Sequence, residues 1–180
     1  MVFVEVKEGD KMILKPDEVK IGIITLSDRA SEGIYEDKSG PRIEALVHEY
    51  FLHLDWNIQF ERMIIPDNGD ILKGVTLKMI AENTDVIFTT GGTGISSRDI
   101  TPDIVKPMLE KEITGIMEFI RVKYGSEKPA ALLSRSIAGV AGKSLIYVLP
   151  GSVKAVEEYC EVILPTISHS LLMLNDINAH

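Results

Sequence analysis

Four strand-patterned segments, each ending in a polar or glycine-bearing turn and each followed by a helix-patterned stretch, constrain this chain most. They are Ile21–Leu26, Ile58–Ile65, Asp85–Thr90 and Leu145–Leu149. The first and last are continuous apolar runs, which suits strands of a parallel sheet buried on both faces. Between them, the stretch near Gly40–Leu52 sets Ile43, Leu46, Val47 and Tyr50 on one helical face. Ile71–Ile80 does the same with Leu72, Val75, Leu77, Met79 and Ile80. A further helix is predicted to start with Thr101 as its N-cap and Pro102 in the first turn, where a missing N–H costs nothing. It is expected to run to about Ile120, bent at Pro107 and weakened at Gly115. The last helix covers Val153–Ile163, and Pro165 is expected to bend or restart it before Leu171–Leu174.

This alternation predicts an α/β fold: a three-layer domain with a mostly parallel central sheet covered by helices on both faces. A chain of 180 residues, 45% of them hydrophobic, suits one such domain. Residues 20–180 form it. Residues 1–19 are an N-terminal extension, read as a small hairpin: Val2, Val4 and Val6 alternate, Gly9-Asp10 turns, and Met12-Ile13-Leu14 returns.

The net charge of −8 argues against a nucleic-acid partner, since that affinity rests on neutralising phosphates with Lys and Arg. A compact phosphorylated ligand needs only a few cations and backbone N–H groups. Cys160 is the one cysteine, so no internal disulfide or CxxC pattern exists, and a reducing, cytoplasmic setting is expected. Met1–Lys20 is broken by charges and does not read as a signal peptide. No apolar run reaches the roughly 18 residues of a membrane span.

In sheets of this kind ligands bind just beyond the carboxyl ends of the strands. Three carboxylates are expected there: Asp28, Asp67 and, after a glycine run, Asp99. Like charges brought together need a counter-ion, and Mg²⁺ with a nucleotide phosphate supplies one, because Mg²⁺ takes one or two carboxylates plus phosphate oxygens. Each has a plainer reading. Asp67 can cap the following helix, and Asp28 can be an ordinary loop residue. Asp99 is expected to be free for other work, since Thr101 is the candidate cap beside it. Asp103 reads as a favourable first-turn charge.

The run Thr89-Thr90-Gly91-Gly92-Thr93-Gly94 lets backbone approach a ligand closely, and its N–H groups can form an anion nest. It is no Walker A loop, since no Lys-Ser or Lys-Thr follows, and no GxGxxG, since Ser97 stands at the third glycine's place. Arg98 and Arg135 suit phosphate; Arg29 reads as a surface charge. Ser27, Ser134 and Ser152 can donate to phosphate or heterocycle, and Ser152 can equally cap the last helix. No metal-ligand spacing joins His48, His53, His169 and His180, no GxSxG surrounds the serines, and Cys160 reads as inert core.

Together these segments resemble the MogA/MoaB family, the molybdopterin-binding domain also found in gephyrin. The resemblance rests on Ile24-Thr25-Leu26-Ser27-Asp28-Arg29-Ala30, Gly33-Ile34-Tyr35-Glu36-Asp37, Ile65-Pro66-Asp67, Thr89 through Gly94, Arg98-Asp99-Ile100-Thr101-Pro102-Asp103, Leu133-Ser134-Arg135 and Leu149-Pro150-Gly151. Residues Met1–Val19 lie outside it, and Thr114-Gly115-Ile116 departs from the family's Pro-Gly-Phe-like string. The resemblance implies a homotrimer that transfers AMP from ATP to molybdopterin with Mg²⁺, releasing pyrophosphate, ahead of hand-over to a molybdate-insertion enzyme. It maps the essential, metal-holding aspartates to Asp67 and Asp99. It maps substrate contacts to Ser27 and Asp28, Thr90 through Gly94, Arg98, Ser134, Arg135, Gly151 and Ser152. A binding protein that carries molybdopterin without ATP chemistry is the alternative.

Overall fold

The computed structural model describes residues 3–8 and 11–177. Its centre is a six-stranded sheet built on β3 (Val19–Leu26), flanked by β4 (Ile58–Ile65) and β5 (Val86–Thr90). Beyond β5 lie β8 (Ser144–Leu149), β7 (Ala138–Ala141) and β6 (Lys111–Glu112), giving the order β4-β3-β5-β8-β7-β6. The first four are mutually parallel; β7 runs antiparallel to both β8 and β6. A separate antiparallel hairpin pairs β1 (Phe3–Glu8) with β2 (Lys11–Pro16), as the sequence predicts. Its predicted Gly9-Asp10 turn lies outside the described residues.

Side-chain alternation assigns the two faces of the sheet. On β3, Val19, Ile21 and Ile23 join one buried cluster, and Ile24 and Leu26 join the other. The same division separates Val86 and Phe88 from Ile87 on β5, and Leu145, Tyr147 and Leu149 from Ile146 and Val148 on β8. Both faces are therefore apolar, as a doubly covered parallel sheet requires. The first face is covered by α2 (Ser39–His53), α5 (Thr114–Gly125) and α6 (Val153–Leu174). There the Phe88 and Tyr147 rings stack with centroids 5.4 Å apart. The second face is covered by α3 (Gly69–Ala81) and α4 (Thr101–Val105). Helix α3 packs so close to β3 that a Cβ on Gly22 would lie 2.6 Å from the Met79 sulfur. Cys160 is buried in α6, and burial pushes its thiol up to about 12, in keeping with an inert core residue.

The long helix predicted from Thr101 does not form. The chain makes α4, a 3₁₀ turn at Lys106–Met108, the short strand β6 and then α5. Pro107 has no N–H and its ring excludes the preceding turn's carbonyl, so the helix ends instead of bending. The backbone donors beyond it go sideways to β7: Glu110 N–H donates to Val140 O at 2.8 Å and Ile113 N–H to Ala138 O at 2.7 Å. Strand β7 escaped prediction because Ala-Gly-Val-Ala has too little side chain to read as an apolar run. The opposite correction applies at Pro165. Helix α6 continues through it without a restart, held by one buried stripe that includes Val156, Tyr159, Ile163, Ile167 and Leu171. Among the described residues no helix is long and apolar enough to cross a membrane.

Two stability predictions arise at element ends. The Asn68 side chain, not that of Asp67, caps α3, accepting from Asp70 N–H at 3.0 Å and Ile71 N–H at 3.1 Å. Asn68→Ala is expected to cost about 1 kcal/mol, read from the urea midpoint. At the other end of the sheet, Asp85 is 6% exposed and its Oδ2 accepts from Lys20 N–H at 2.8 Å. Burial raises its pKa above 3.8, outweighing the backbone hydrogen bond. Folding therefore favours the protonated acid, a contribution present below pH 3.8 and lost as pH rises through the raised folded-state value. Asp85→Asn keeps the acceptor and removes the charge. It should melt higher than wild type at pH 7, and the gain should shrink as pH falls toward 3.8; a gain that grew on acidification would contradict the sign.

Candidate functional site

Strand register brings the loops to one rim. Leu26 pairs with Ile65, Thr25 with Thr90, and Thr90 with Leu149, so β3, β4, β5 and β8 end level. From β3 the chain moves to β4 on one side and β5 on the other, so the strand order reverses between β3 and β5. That is the switch point where open α/β sheets form a crevice.

At the end of β3, the Ser27 hydroxyl caps the one-turn helix α1 (Asp28–Ser31), accepting from Ala30 N–H at 3.2 Å. Asp28 is thus a first-turn residue, not a loop residue. Its Oδ1 accepts from Asp67 N–H at 2.9 Å, while Asp67 Oδ2 accepts from Asp28 N–H at 3.3 Å. This reciprocal pair ties the loops after β3 and β4 together.

The glycine loop after β5 is held from all sides. Gly91 N–H donates to Leu149 O at 3.0 Å, and the Thr90 hydroxyl donates to Pro150 O at 2.8 Å. Gly91 has φ +105°; a Cβ there would sit 2.5 Å from Leu26 O. A Cβ on Gly151 would lie 3.3 Å from Gly91 Cα. The exits of β3, β5 and β8 therefore converge on Gly91.

Thr101 does not cap α4. Its buried hydroxyl donates to Gly91 O at 2.8 Å and its N–H donates to Gly92 O at 3.1 Å. Asp99 is not idle either: its Oδ2 accepts from Ser96 N–H at 2.8 Å. Hydrogen bonding from the Ser96 side chain, aided by the Ser96 and Gly94 N–H groups and the Arg135 charge, holds its carboxyl below 3.8 against some desolvation. It is a firmly ionised carboxylate. Arg135 turns its guanidinium onto the loop, donating to Gly94 O at 2.8 Å, to both Asp103 oxygens at 2.8 and 2.9 Å, and to Asp99 O. Its N–H donates to Thr93 O at 2.9 Å. Arg98 is exposed, and Arg29 lies over the Tyr35 ring, 5.4 Å from its centroid.

The helices that follow Asp67 and Asp99 pack together. A Cβ on Gly69 would lie 3.0 Å from Ile104 Cδ1 and 3.6 Å from Ile100 Cδ1, so the first turn of α3 packs on α4 and the segment beside Asp99. Among the described residues no group of three or more His, Cys, Asp or Glu forms a metal cage. One or two carboxylates are the donor set Mg²⁺ uses when substrate phosphates and water complete its shell, and Asp67 and Asp99 fit it by type.

Two cavities open on the rim, on either side of Gly151-Ser152. The larger, about 550 Å³, is lined by Thr93, Gly94, Ile95, Ser134, Ser152 and Tyr159, with Lys128, Lys154 and Glu158. The smaller, about 360 Å³, is lined by Thr25, Ser27, Asp37, Ser39, Thr90 and Gly151. Ser134 is fixed there by Tyr159, whose hydroxyl donates to it at 2.9 Å. Ser152 caps α6, accepting from Ala155 N–H at 3.2 Å. Lys128, Lys154, Glu158 and Tyr159 were missed by sequence reasoning. The signal for most of them was present: the first turns of a helix entered from a strand end face the rim, and Lys154 and Glu158 stand four apart.

Residues 22–169 match the family model described as "Probable molybdopterin binding domain". The chain belongs to the MogA/MoaB molybdopterin-binding family. A molybdopterin adenylyltransferase of Helicobacter pylori is 40% identical over 152 residues, spanning 84% of this chain and 85% of its own. Molybdenum cofactor biosynthesis protein B of Staphylococcus epidermidis is 38% identical over 161 residues, 87% of this chain and 89% of its own. The crystal structure of the tungsten cofactor synthesizing protein MoaB from Pyrococcus furiosus superposes with a TM-score of 0.78 at 34% identity, covering 89% of this chain and 99% of that one. The MogA/MoaB fold thus carries the rim loops with the rest of the sheet, since the family match runs from β3 through most of α6.

Proposed function

We propose that this MogA/MoaB protein is a molybdopterin adenylyltransferase, moving AMP from Mg-ATP to the terminal phosphate of molybdopterin. The observation that carries the reading is the rim itself: Asp67 and Asp99 stand on loops whose following helices touch, and Asp99 lies against a glycine loop whose backbone is locked by Thr101 and Arg135. A phosphate monoester has a second pKa of about 6 and is largely dianionic at neutral pH. It needs no base, and the site offers no histidine among the lining residues of either cavity.

In the reaction, an oxygen of that phosphate bonds to the α-phosphorus of ATP. The bond from the α-phosphorus to the bridging oxygen breaks, and pyrophosphate leaves with the electron pair. The obstacle is repulsion between two anions. Mg²⁺, when bound, offsets that charge, and Asp67 and Asp99 are the residues that hold it. Gly91 N–H is taken by Leu149 O and Gly94 N–H by Asp99, so the N–H groups of Gly92 and Thr93 donate to phosphate oxygens, and Ser27, Ser134 and Ser152 orient polar groups of the substrates in the flanking cavities. Arg135 keeps the loop in shape through its bond to Gly94 O, with its charge balanced by Asp103.

Incubation with molybdopterin and Mg-ATP is expected to yield adenylylated molybdopterin by mass detection, with equimolar pyrophosphate. Molybdopterin binding with no pyrophosphate would replace the enzyme with a carrier that holds the pterin and passes it on.

A further inference from the structure

The larger rim cavity has one carboxylate among its lining residues, Glu158, on the second turn of α6. Its side chain is 17% exposed. One oxygen, Oε1, is bound by the Lys128 ammonium, reaching across from the segment before the 3₁₀ turn Pro129–Leu133. The other, Oε2, has no hydrogen-bond partner among the described residues. Around it the cavity is walled by Ile95, Ala131, Leu133 and Pro150. The carboxylate of the smaller cavity differs. Both oxygens of Asp37 are engaged: Oδ1 accepts from Ser39 N–H and hydroxyl at 3.0 Å each and from Gly40 N–H at 3.1 Å, and Oδ2 accepts from the Thr25 hydroxyl at 2.8 Å. Of these two carboxylates, Glu158 is the one with an oxygen that no described protein group binds, while its other oxygen is fixed by a partner.

A pterin presents two parallel donors, the ring N3–H and the 2-amino N–H, in the spacing by which a guanidinium pairs with a carboxylate. The ring faces are apolar enough for the aliphatic walls. Oε1 keeps a lone pair after binding Lys128, because an ionised carboxylate has about four acceptor sites on two oxygens. We propose that Glu158 is the specificity-determining acceptor for the N3–H and 2-amino edge of the pterin, positioned by Lys128. This rests on the reading of the site as one that takes molybdopterin. It makes the cavity selective for a 2-amino ring over a 2-oxo ring, whose carbonyl oxygen would face the carboxylate.

The test is fluorescence titration of the full chain with 6-hydroxymethylpterin and its 2-oxo counterpart, 6-hydroxymethyllumazine. Wild type is expected to prefer the pterin about 10- to 100-fold, the range for hydrogen bonds to a charged group. In Glu158→Gln the amide accepts from one donor only and can donate to a 2-oxo group. The preference should vanish or reverse, with lumazine binding retained as proof of an intact cavity. A purely structural role for Glu158 would weaken both ligands alike. Equal affinities in wild type, no affinity for either ring, or a variant that keeps the pterin preference overturns the proposal. Adenylyl transfer measured beside the titration separates the two readings. Transfer without ring preference removes Glu158 and leaves the reaction; ring preference without pyrophosphate release removes the reaction and leaves Glu158.

Discussion

Asp99→Asn is expected to leave molybdopterin binding near the wild-type level and to slow adenylyl transfer about 100- to 1,000-fold, the usual loss when one transition-state charge contact is removed. The substitution is nearly isosteric. An Asn Oδ1 can still accept from Ser96 N–H, the bond that Asp99 Oδ2 makes at 2.8 Å, so the loop from Gly94 to Asp99 keeps its closure. What disappears is the negative charge that the Ser96 side chain and backbone, with Arg135, hold ionised. Binding of the pterin should not register that loss, whereas neutralising the collision between a phosphate dianion and ATP should. Asp67→Asn should act alike, although it also touches Asp28 N–H. If both carboxylates serve one ion, the double variant should lose little more than either single one, because groups acting as a unit are non-additive. Turnover by Asp99→Asn equal to wild type at saturating Mg-ATP would take Asp99 out of the chemistry; additive losses would mean two separate roles.

The contrast between what the sequence predicts and what the chain does follows the range of the interactions involved. Strand β4 is read at its observed bounds, Ile58–Ile65, and β5 ends at Thr90 as predicted, because the signals for both are local: strand-patterned segments stopped by Pro66 and Gly91. Helix α2 is read within a residue of each end for the same reason. The region from Thr101 to Ala141 is misread where long-range bonds decide. The Thr101 hydroxyl answers a carbonyl ten residues back, at Gly91, and not the helix it begins. Glu110 and Ile113 donate to a strand, β7, that has almost no sequence signature. In the site, residue types at strand ends are legible, since the sheet's geometry fixes that rim. Their partners are not. Arg135 suits phosphate by type, yet its fork is turned onto Gly94, Asp99 and Asp103. Asp67 is a cap candidate by type, yet the adjacent Asn68 caps and Asp67 pairs with Asp28, 39 residues away.

Gly91→Ala is the substitution expected to damage the fold most, by about 2–6 kcal/mol, for two independent reasons. At φ +105° an L-residue is strained whatever its surroundings, at roughly 1–3 kcal/mol. In addition, the new Cβ would stand 2.5 Å from the carbonyl oxygen of Leu26, on the neighbouring strand's last residue. Backbone cannot swing aside as a flexible side chain can, so β3 or the loop must shift, at a further cost of about 1–3 kcal/mol. The shift would also strain the Gly91 contacts to Leu149 O and Thr101 and move the rim on which three strand exits meet, so adenylyl transfer should fall even in molecules that remain folded. Gly33→Ala supplies the control. Gly33 has φ +72° but nothing within 4 Å of its would-be Cβ, so it isolates the backbone cost of about 1–2 kcal/mol. Urea midpoints of the two variants should differ in that order, and at about 2–4 °C per kcal/mol for a chain of this size the Gly91 variant should melt well below the Gly33 one. Equal losses would mean that Leu26 O yields freely, and that the glycine is there for its φ alone.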